Sequence, residues 1–155
     1  MPLVSLSFPP SAEHVRTARL VAVATARRGW LTEDRLDELR LAVGEICARA
    51  VRRCLAATGP DGLPPGPIQL QIEDHDEVLT VRVTDPAPDP AAPAIPERPA
   101  SPGGPRYDPA AEQLALVQEE AIALALVRGL ADQVVVGPSA RGATGLVVMT
   151  WNRHR

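Results

Sequence analysis

The sequence predicts an α+β fold, a two-layer sandwich in which a mixed or antiparallel sheet packs on helices. Three observations predict it. Two helical segments follow a single short strand, two alternating segments then form a hairpin, and a third helical segment precedes two final strands. Because the strands are grouped and do not alternate regularly with helices, a sandwich fits better than a doubly wound sheet. The length of 155 residues corresponds to a single domain spanning the chain.

The first part of the chain contains a strand and two helices. Residues 3–8 alternate Leu and Ser with β-prone neighbours, and a Pro-Pro pair ends the strand. Ser11 is the predicted N-cap of a helix that runs to about residue 28, where Gly29 is placed to terminate it. Thr32 is the predicted N-cap of a longer helix, whose apolar residues recur every three or four positions until about residue 58.

The middle of the chain contains a hairpin and a segment of different composition. Residues 68–73 alternate apolar and polar, 74–77 form the predicted turn, and 78–84 form the partner strand. In residues 86–109, nine of 24 positions are proline, which excludes a helix or a central strand. We predict a flexible insertion here, and a proline-rich partner motif stays open as the alternative.

The last part of the chain restores regular structure. Residues 110–131 have a helical pattern, and strands are predicted at 133–136 and 146–151, joined by a loop rich in Gly, Ser and Arg. The predicted order is therefore β, α, α, β, β, insertion, α, β, β.

Composition excludes several classes of function. The net charge of −3 provides no electrostatic footprint for DNA or an anionic membrane. The sequence has no apolar run of membrane-spanning length and no N-terminal leader in which a basic stretch precedes an apolar one, so we expect a cytoplasmic protein.

Cys47 and Cys54 lie seven residues apart in a helical pattern and are interpreted as core residues, since no His or Cys partner stands at metal-ligand spacing. The three histidines are scattered and form no catalytic set.

Several phrases carry a resemblance to a known family. These phrases are SFPPSAEHVRTAR, LRLAVGEICARAV, VRVTDPAP, LALVRGLADQVVV and GATGLVVMTW. Together with the element order, they resemble the histidine-kinase-like ATPases, and within that fold the bacterial anti-sigma factor serine kinases. The resemblance covers roughly residues 3–85 and 110–153. It implies that residues 86–109 stand where the family has its mobile ATP lid.

The second helix carries the first motif of the resembled family, a Glu followed four residues later by an Asn. In the family the Glu acts as a base and the Asn ligates magnesium. Here the Glu is Glu45, but Arg49 stands at the Asn position. Because a guanidinium has only donors and is permanently charged, it cannot ligate a metal ion. Two other interpretations remain open: Glu45 could pair with Arg49 on the helix surface, or Arg49 could contact a phosphate directly.

The other three motifs are changed to different degrees. Asp85 matches the family's adenine-binding Asp, but proline and alanine follow it in place of the usual glycine. Asp85 could also serve as a turn residue. The family's phosphate-binding Gly-X-Gly corresponds to Ala121-Ile122-Ala123, whose methyl groups stand where phosphates approach bare amides. Gly142 and Thr144 match the terminal Gly-Thr element, although Thr144 could be an ordinary hairpin residue.

The resemblance and these changes together imply a non-catalytic relative of the anti-sigma kinases. The expected partners are a sigma factor, an anti-anti-sigma protein of the STAS type, or both, and a homodimer is expected. No cofactor and no metal are expected, and Glu45 remains only as a relic of the catalytic base. The alternatives are an active serine kinase that uses ATP with magnesium, and an accessory subunit that dimerises with a competent relative.

Overall fold

The computed structural model describes residues 3–88, 108–139 and 142–154. It confirms the α+β fold: one antiparallel sheet with the strand order β1-β2-β3-β5-β4 packs on helices. The element order agrees with the prediction, and most of the predicted insertion, 89–107, lies outside the described residues. The elements are β1 (Leu3–Phe8), α1 (Glu13–Ala26), α2 (Glu33–Ala56), β2 (Ile68–His75), β3 (Val78–Asp85), α3 (Pro109–Leu130), β4 (Gln133–Ser139) and β5 (Gly142–Asn152).

One face of the sheet supplies the core. Along β2 and β3 every second side chain is buried, as the alternation of apolar and polar residues predicts. Helix α2 packs over this face with a continuous apolar stripe, and Trp151 of β5 is fully buried beneath the helices. This packing fixes the position of α2 relative to the ends of β3 and β5, where the candidate site lies.

Helix α2 has the N-cap and the buried cysteines that its sequence predicts. The Thr32 hydroxyl accepts a hydrogen bond from the backbone N–H of Arg35 at 3.4 Å, which confirms the predicted N-cap. Both cysteines of this helix are buried, as predicted, and burial raises the pKa of Cys47 to about 12 and that of Cys54 to about 11. These thiols are packing residues.

The two ends of α1 differ from the prediction. Ser11 is not the N-cap: Ala12, whose φ and ψ are helical, occupies that position and makes no side-chain cap. Ser11 lies one residue earlier, in a turn in which its N–H donates to the Pro9 carbonyl and its own carbonyl accepts from the N–H of His14. The helix ends at Ala26, one turn before Gly29. The absence of a side chain at Gly29 instead makes room for a carboxylate from the β2–β3 hairpin, which lies 2.7 Å from the position of a Cβ.

The hairpins also extend further than predicted. The β2–β3 turn contains only Asp76 and Glu77, both with positive φ, which is the geometry of a two-residue type I′ turn. The predicted loop between the last two strands is mostly strand, since β4 reaches Ser139 and β5 begins at Gly142. Among the described residues, no helix is both long and apolar enough to cross a membrane.

Candidate functional site

The predicted site residues meet where the second half of α2 passes over the end of β3. Residues Arg49 and Arg53 lie four apart on α2 and therefore project from one helical face. This face meets Asp85, the last residue of β3, and Glu120, which lies in the middle of α3. We call these four residues the arginine cluster.

Arg53 is the centre of the arginine cluster. Its Nε donates to both carboxylate oxygens of Asp85, at 3.2 and 3.0 Å, and its Nη1 donates to Glu120 Oε1 at 2.8 Å. Its Nη2 donates to the backbone oxygens of Ala87 at 3.1 Å and Pro88 at 3.3 Å. One guanidinium therefore joins α2 to the end of β3, to the segment that follows β3, and to α3.

Asp85 is held in this cluster by its burial and by its neighbours. Only 2% of the residue is exposed, and its Oδ1 also accepts the backbone N–H of Ala87 at 3.0 Å. Burial raises the pKa of Asp85 above its ordinary value, while the Arg53 charge acts in the opposite direction. Burial alone would lower the pKa of Arg53, but its bonds to Glu120 and Asp85 raise it, so the guanidinium stays charged.

Gly145 of β5 provides the space for this ion pair. It lies opposite Asp85 in the β3–β5 register. A Cβ added at Gly145 would lie 2.6 Å from Asp85 Oδ2 and 3.1 Å from two nitrogens of Arg53. The space that a side chain at this position would take is therefore occupied by the Asp85 carboxylate and the Arg53 guanidinium.

Arg49 faces α3, away from Glu45. Its Nη2 lies 3.5 Å from Glu120 Oε1, and only 6% of its side chain is exposed. Burial lowers the pKa of Arg49, and the charge of Glu120 acts against that change. Its Nε is buried and has no hydrogen-bond partner among the described residues.

The interpretation that Glu45 pairs with Arg49, left open above, is wrong. Glu45 Oε1 instead lies 3.5 Å from Nη2 of Arg52, seven residues along α2. About a third of the Glu45 side chain is exposed, whereas Arg49 is turned toward the interior, so the two residues occupy different environments on the helix.

The alanines at the Gly-X-Gly position lie well inside α3. This helix begins at Pro109, and Asp108 caps it by accepting from the next two backbone N–H groups. The helix is continuous through these positions, as the helical pattern of residues 110–131 predicts. Ala123 is buried and Ala121 is exposed. The backbone amides at these positions belong to a helix interior.

The terminal Gly-Thr element lies at the start of β5. Gly142 pairs with Ser139 of β4, and Thr144 lies two residues further along β5, immediately before Gly145. The side chain of Thr144 is outside the described part of the structure. The sequence GATG contains two glycines, and the structure places the second of them, Gly145, against the arginine cluster.

Sequence reasoning missed Arg53, Glu120 and Gly145. A signal for Arg53 was present, because it follows Arg49 by four residues at the margin of the apolar stripe of α2. A permanently charged side chain at that margin requires an acidic partner. Its two acidic partners are 32 and 67 residues away along the chain, which no local pattern reveals.

Neither of two surface cavities includes a residue of the cluster. One of about 350 Å³ lies between α1 and α2, and one of about 290 Å³ lies at the C-terminal end of α3. Within the described ranges, no group of three or more His, Cys, Asp or Glu residues is arranged to hold a metal ion.

Comparison with known proteins agrees with this architecture. No curated protein matches the sequence. The family model described as the histidine kinase-like ATPase domain matches residues 8–151, almost the whole chain. An antiparallel sheet packed on helices is consistent with that fold. The chain therefore belongs to the histidine kinase-like ATPase domain family.

Proposed function

We propose that this protein is a non-catalytic member of its family and acts by binding other proteins, in the manner of an anti-sigma factor in the bacterial cytoplasm. The observation that carries the proposal is the buried ion pair of Arg53 with Asp85. The resemblance to anti-sigma kinases supplies the class of partner, a sigma factor or its STAS-type antagonist. The expected mode of action is stoichiometric contact, with no phosphoryl transfer.

The geometry at Asp85 fits an adenine base poorly. A carboxylate that recognises adenine must accept a hydrogen bond from the exocyclic amino group. Both oxygens of Asp85 already accept from Arg53, and one accepts from the backbone as well. Displacing the guanidinium would leave a buried cation without its partner, which is strongly unfavourable.

The other positions fit a magnesium triphosphate poorly. Arg49 offers only donors where an oxygen ligand for the metal is needed, and it is bound to Glu120. The backbone N–H groups around Ala121 and Ala123 are inside a continuous helix, so they are already committed to helical hydrogen bonds. Phosphoryl transfer depends mainly on metal-assisted charge neutralisation and positioning, and these residues supply neither.

Calorimetric titration of the purified protein with ATP, in the presence and absence of magnesium, tests the proposal. We expect no binding at millimolar nucleotide under either condition. Replacing Arg49 by Asn restores the metal-ligand residue type alone, so we expect no phosphorylation of an added STAS-type protein. Magnesium-dependent binding at millimolar or tighter Kd, or phosphorylation by either protein, would show that the enzyme alternative is correct.

The partner class has its own test. We expect a purified sigma factor or STAS-type protein from the native cell to bind the protein directly, with no dependence on added nucleotide. If a catalytically competent relative is the only protein that binds, the accessory-subunit alternative replaces the anti-sigma role.

A further inference from the structure

Helix α3 packs against the described part of the fold along only half of its length. Of the nine side chains between Ala110 and Glu119 that the structure describes, eight are exposed, and the ninth, Leu116, is half-buried. Contact with the core begins beyond Glu120. The residues there that are buried or packed against the core are Ala123, Leu124, Val127 and Leu130. We call residues 109–119 the outer half of α3 and residues 120–130 the inner half.

The apolar residues of the outer half contribute little to its stability. Leu114 is 59% exposed and Val117 is 43% exposed, so unfolding this half would bring little additional apolar surface into contact with water. The helix is favoured here by its alanine-rich composition and by Asp108, which accepts from the backbone N–H groups of Ala110 and Ala111. A short helix that depends on such terms alone is marginal in water.

Glu120 marks a sharp boundary between the two halves. Its Oε1 lies 2.8 Å from Nη1 of Arg53 and 3.5 Å from Nη2 of Arg49, and both arginine side chains are at most 6% exposed. Unwinding past Glu120 would remove a carboxylate from two buried cations, which is strongly unfavourable. The preceding residue, Glu119, is 59% exposed and lies 3.8 Å from Arg52, an exposed pair of little energetic consequence.

We propose that α3 contains an order–disorder switch, in which the outer half unwinds and re-forms while the inner half stays helical and Glu120 stops the unwinding. In the unwound form Glu120 stands in the first turn of the shortened helix, where the helix dipole favours a carboxylate. Its charge also lies beside the N–H groups of residues 121–123, which lose their acceptors at 117–119, and opposes an anion there. The switch is a property of the free chain and does not rest on the proposed function.

The switch has a consequence for any protein that contacts the outer half of α3. Such a partner would have to order this half as it binds, so the free energy of ordering would be subtracted from the affinity. The inner half, held by the arginine cluster and the core, is ordered before contact and carries no such cost. Glu120 therefore sets how much of α3 is available as a preformed surface.

Helix–coil energetics give the expected size of the effect. Opening from the end of an existing helix needs no nucleation, and each hydrogen bond contributes a factor of about 1–1.6, so the bonds of amides 112–117 slow hydrogen exchange at most about 20-fold. Loss of the Asp108 cap adds roughly fivefold. Amides 124–127 have their acceptors at residue 120 or beyond, and releasing Glu120 should slow their exchange by at least about a further hundredfold.

Hydrogen exchange of the full chain, measured at individual amides, tests the switch in the wild-type protein. We expect amides 113–117 to be protected less than about 100-fold relative to the unfolded chain, and amides 124–127 at least about a hundredfold more strongly. If amides 113–117 are as well protected as amides 124–127, α3 is a single cooperative unit and the switch does not exist. This measurement decides the point even if a variant fails to fold.

Replacing Glu120 by Ala tests its role as the stop, and Glu119→Ala is the matched control at the adjacent position. Alanine has a slightly higher helix propensity than glutamate, so propensity alone would slow exchange in both variants. We expect Glu120→Ala to accelerate exchange of amides 124–127 at least about tenfold and Glu119→Ala to change it less than about twofold.

Three results with these variants would contradict the role of Glu120. Amides 124–127 could exchange no faster in Glu120→Ala, or they could accelerate equally in Glu119→Ala. The third result concerns amides 79–83 of β3, in the centre of the sheet. If these accelerate in Glu120→Ala as much as amides 124–127, the ion pairs stabilise the whole fold and do not mark a boundary within α3.

Discussion

Replacing Arg53 by Met removes the charge at the centre of the arginine cluster and keeps an unbranched apolar side chain in place of the aliphatic part of the arginine. Asp85, 2% exposed, then retains only its backbone bond from Ala87, and Glu120 loses its 2.8 Å partner. Removing one partner of a buried ion pair typically costs about 3–5 kcal/mol. Because a domain of this size has about 5–15 kcal/mol of stability, we expect a large loss.

Urea denaturation monitored by circular dichroism measures this loss, and the same substitution at Arg82 is the matched control. Arg82 bonds to Glu73 at 3.0 Å, the same nitrogen-to-oxygen distance as Arg53 to Asp85. The Arg82 side chain is 40% exposed, and an exposed pair contributes about 0–1 kcal/mol. The comparison therefore sets an exposed ion pair against the buried cluster, in which Arg53 also bonds to Glu120 and to the backbone oxygens of Ala87 and Pro88.

The reasoning is refuted if Arg53→Met costs no more than Arg82→Met. A second variant separates loss of the charge from loss of packing. Replacing both Arg53 by Met and Asp85 by Leu removes the uncompensated carboxylate along with its partner, and we expect this double variant to recover part of the lost stability. A double variant less stable than Arg53→Met would indicate that the cluster is held by shape and not by charge.

Because Asp85 titrates, the stability of the Arg53→Met variant should depend on pH in a direction that can be predicted. Burial raises its pKa in the wild-type protein, and removing Arg53 removes the main opposing influence, so the folded pKa rises further. A carboxyl with a folded pKa above the unfolded value of about 3.9 binds more protons when folded, so stability falls as the pH rises between the two values. The difference in free energy of unfolding between the wild-type protein and the variant should be largest at neutral pH. It should become smaller on acidification toward about pH 4. If this difference in free energy instead grows on acidification, Asp85 is not the group responsible for the pH dependence.

Three further substitutions or reactions test particular features of the fold. Gly145→Ala should lower the free energy of unfolding by about 1–3 kcal/mol, because the added Cβ would collide with the ion pair. Gly137→Ala should lower it less, since no atom lies within 4 Å of an added Cβ there. The midpoints of urea denaturation compare the two variants. Thr32→Ala should cost about 1 kcal/mol through loss of the cap, and Ser11→Ala much less, since Ser11 caps no helix. The Cys47 thiol, with a pKa near 12, should react with a thiol reagent at pH 8 only after unfolding; fast reaction of the folded protein would contradict its burial.

Local patterns predicted the parts of this fold that depend on neighbouring residues. Thr32 stands before two acidic residues and an apolar stripe, and that arrangement defines the start of α2 by itself. Ser11 has similar local signals, but it lies in the turn that follows Pro9, one residue before the N-cap position, which Ala12 occupies with helical φ and ψ. The β2–β3 strands followed from alternation, whereas the two-residue turn required the φ values of Asp76 and Glu77.

The candidate site depended on contacts between distant parts of the chain. Sequence reasoning identified Arg49 and Asp85 as changed or isolated elements of a nucleotide site. It did not reveal that Arg53 joins Asp85 to Glu120, because the pairing depends on how α2, β3 and α3 pack. The assumption that a surface Glu pairs with an Arg four residues later was reasonable for an isolated helix and failed because Arg49 is needed in the interior.

The charge balance of the cluster supports the proposal independently of any single residue. Two guanidinium groups, on Arg49 and Arg53, face two carboxylates, on Asp85 and Glu120, so the site is neutral when all four are ionised. A triphosphate entering this site would have to separate an arginine from its carboxylate and leave that carboxylate, at most 13% exposed, beside additional negative charge. A bound metal ion would offset that charge, but the residue at the ligand position is itself a cation. The proposal therefore implies that coordinated changes on α2 and α3 would be needed for a nucleotide to bind, and for this reason we expect Arg49→Asn alone to fail.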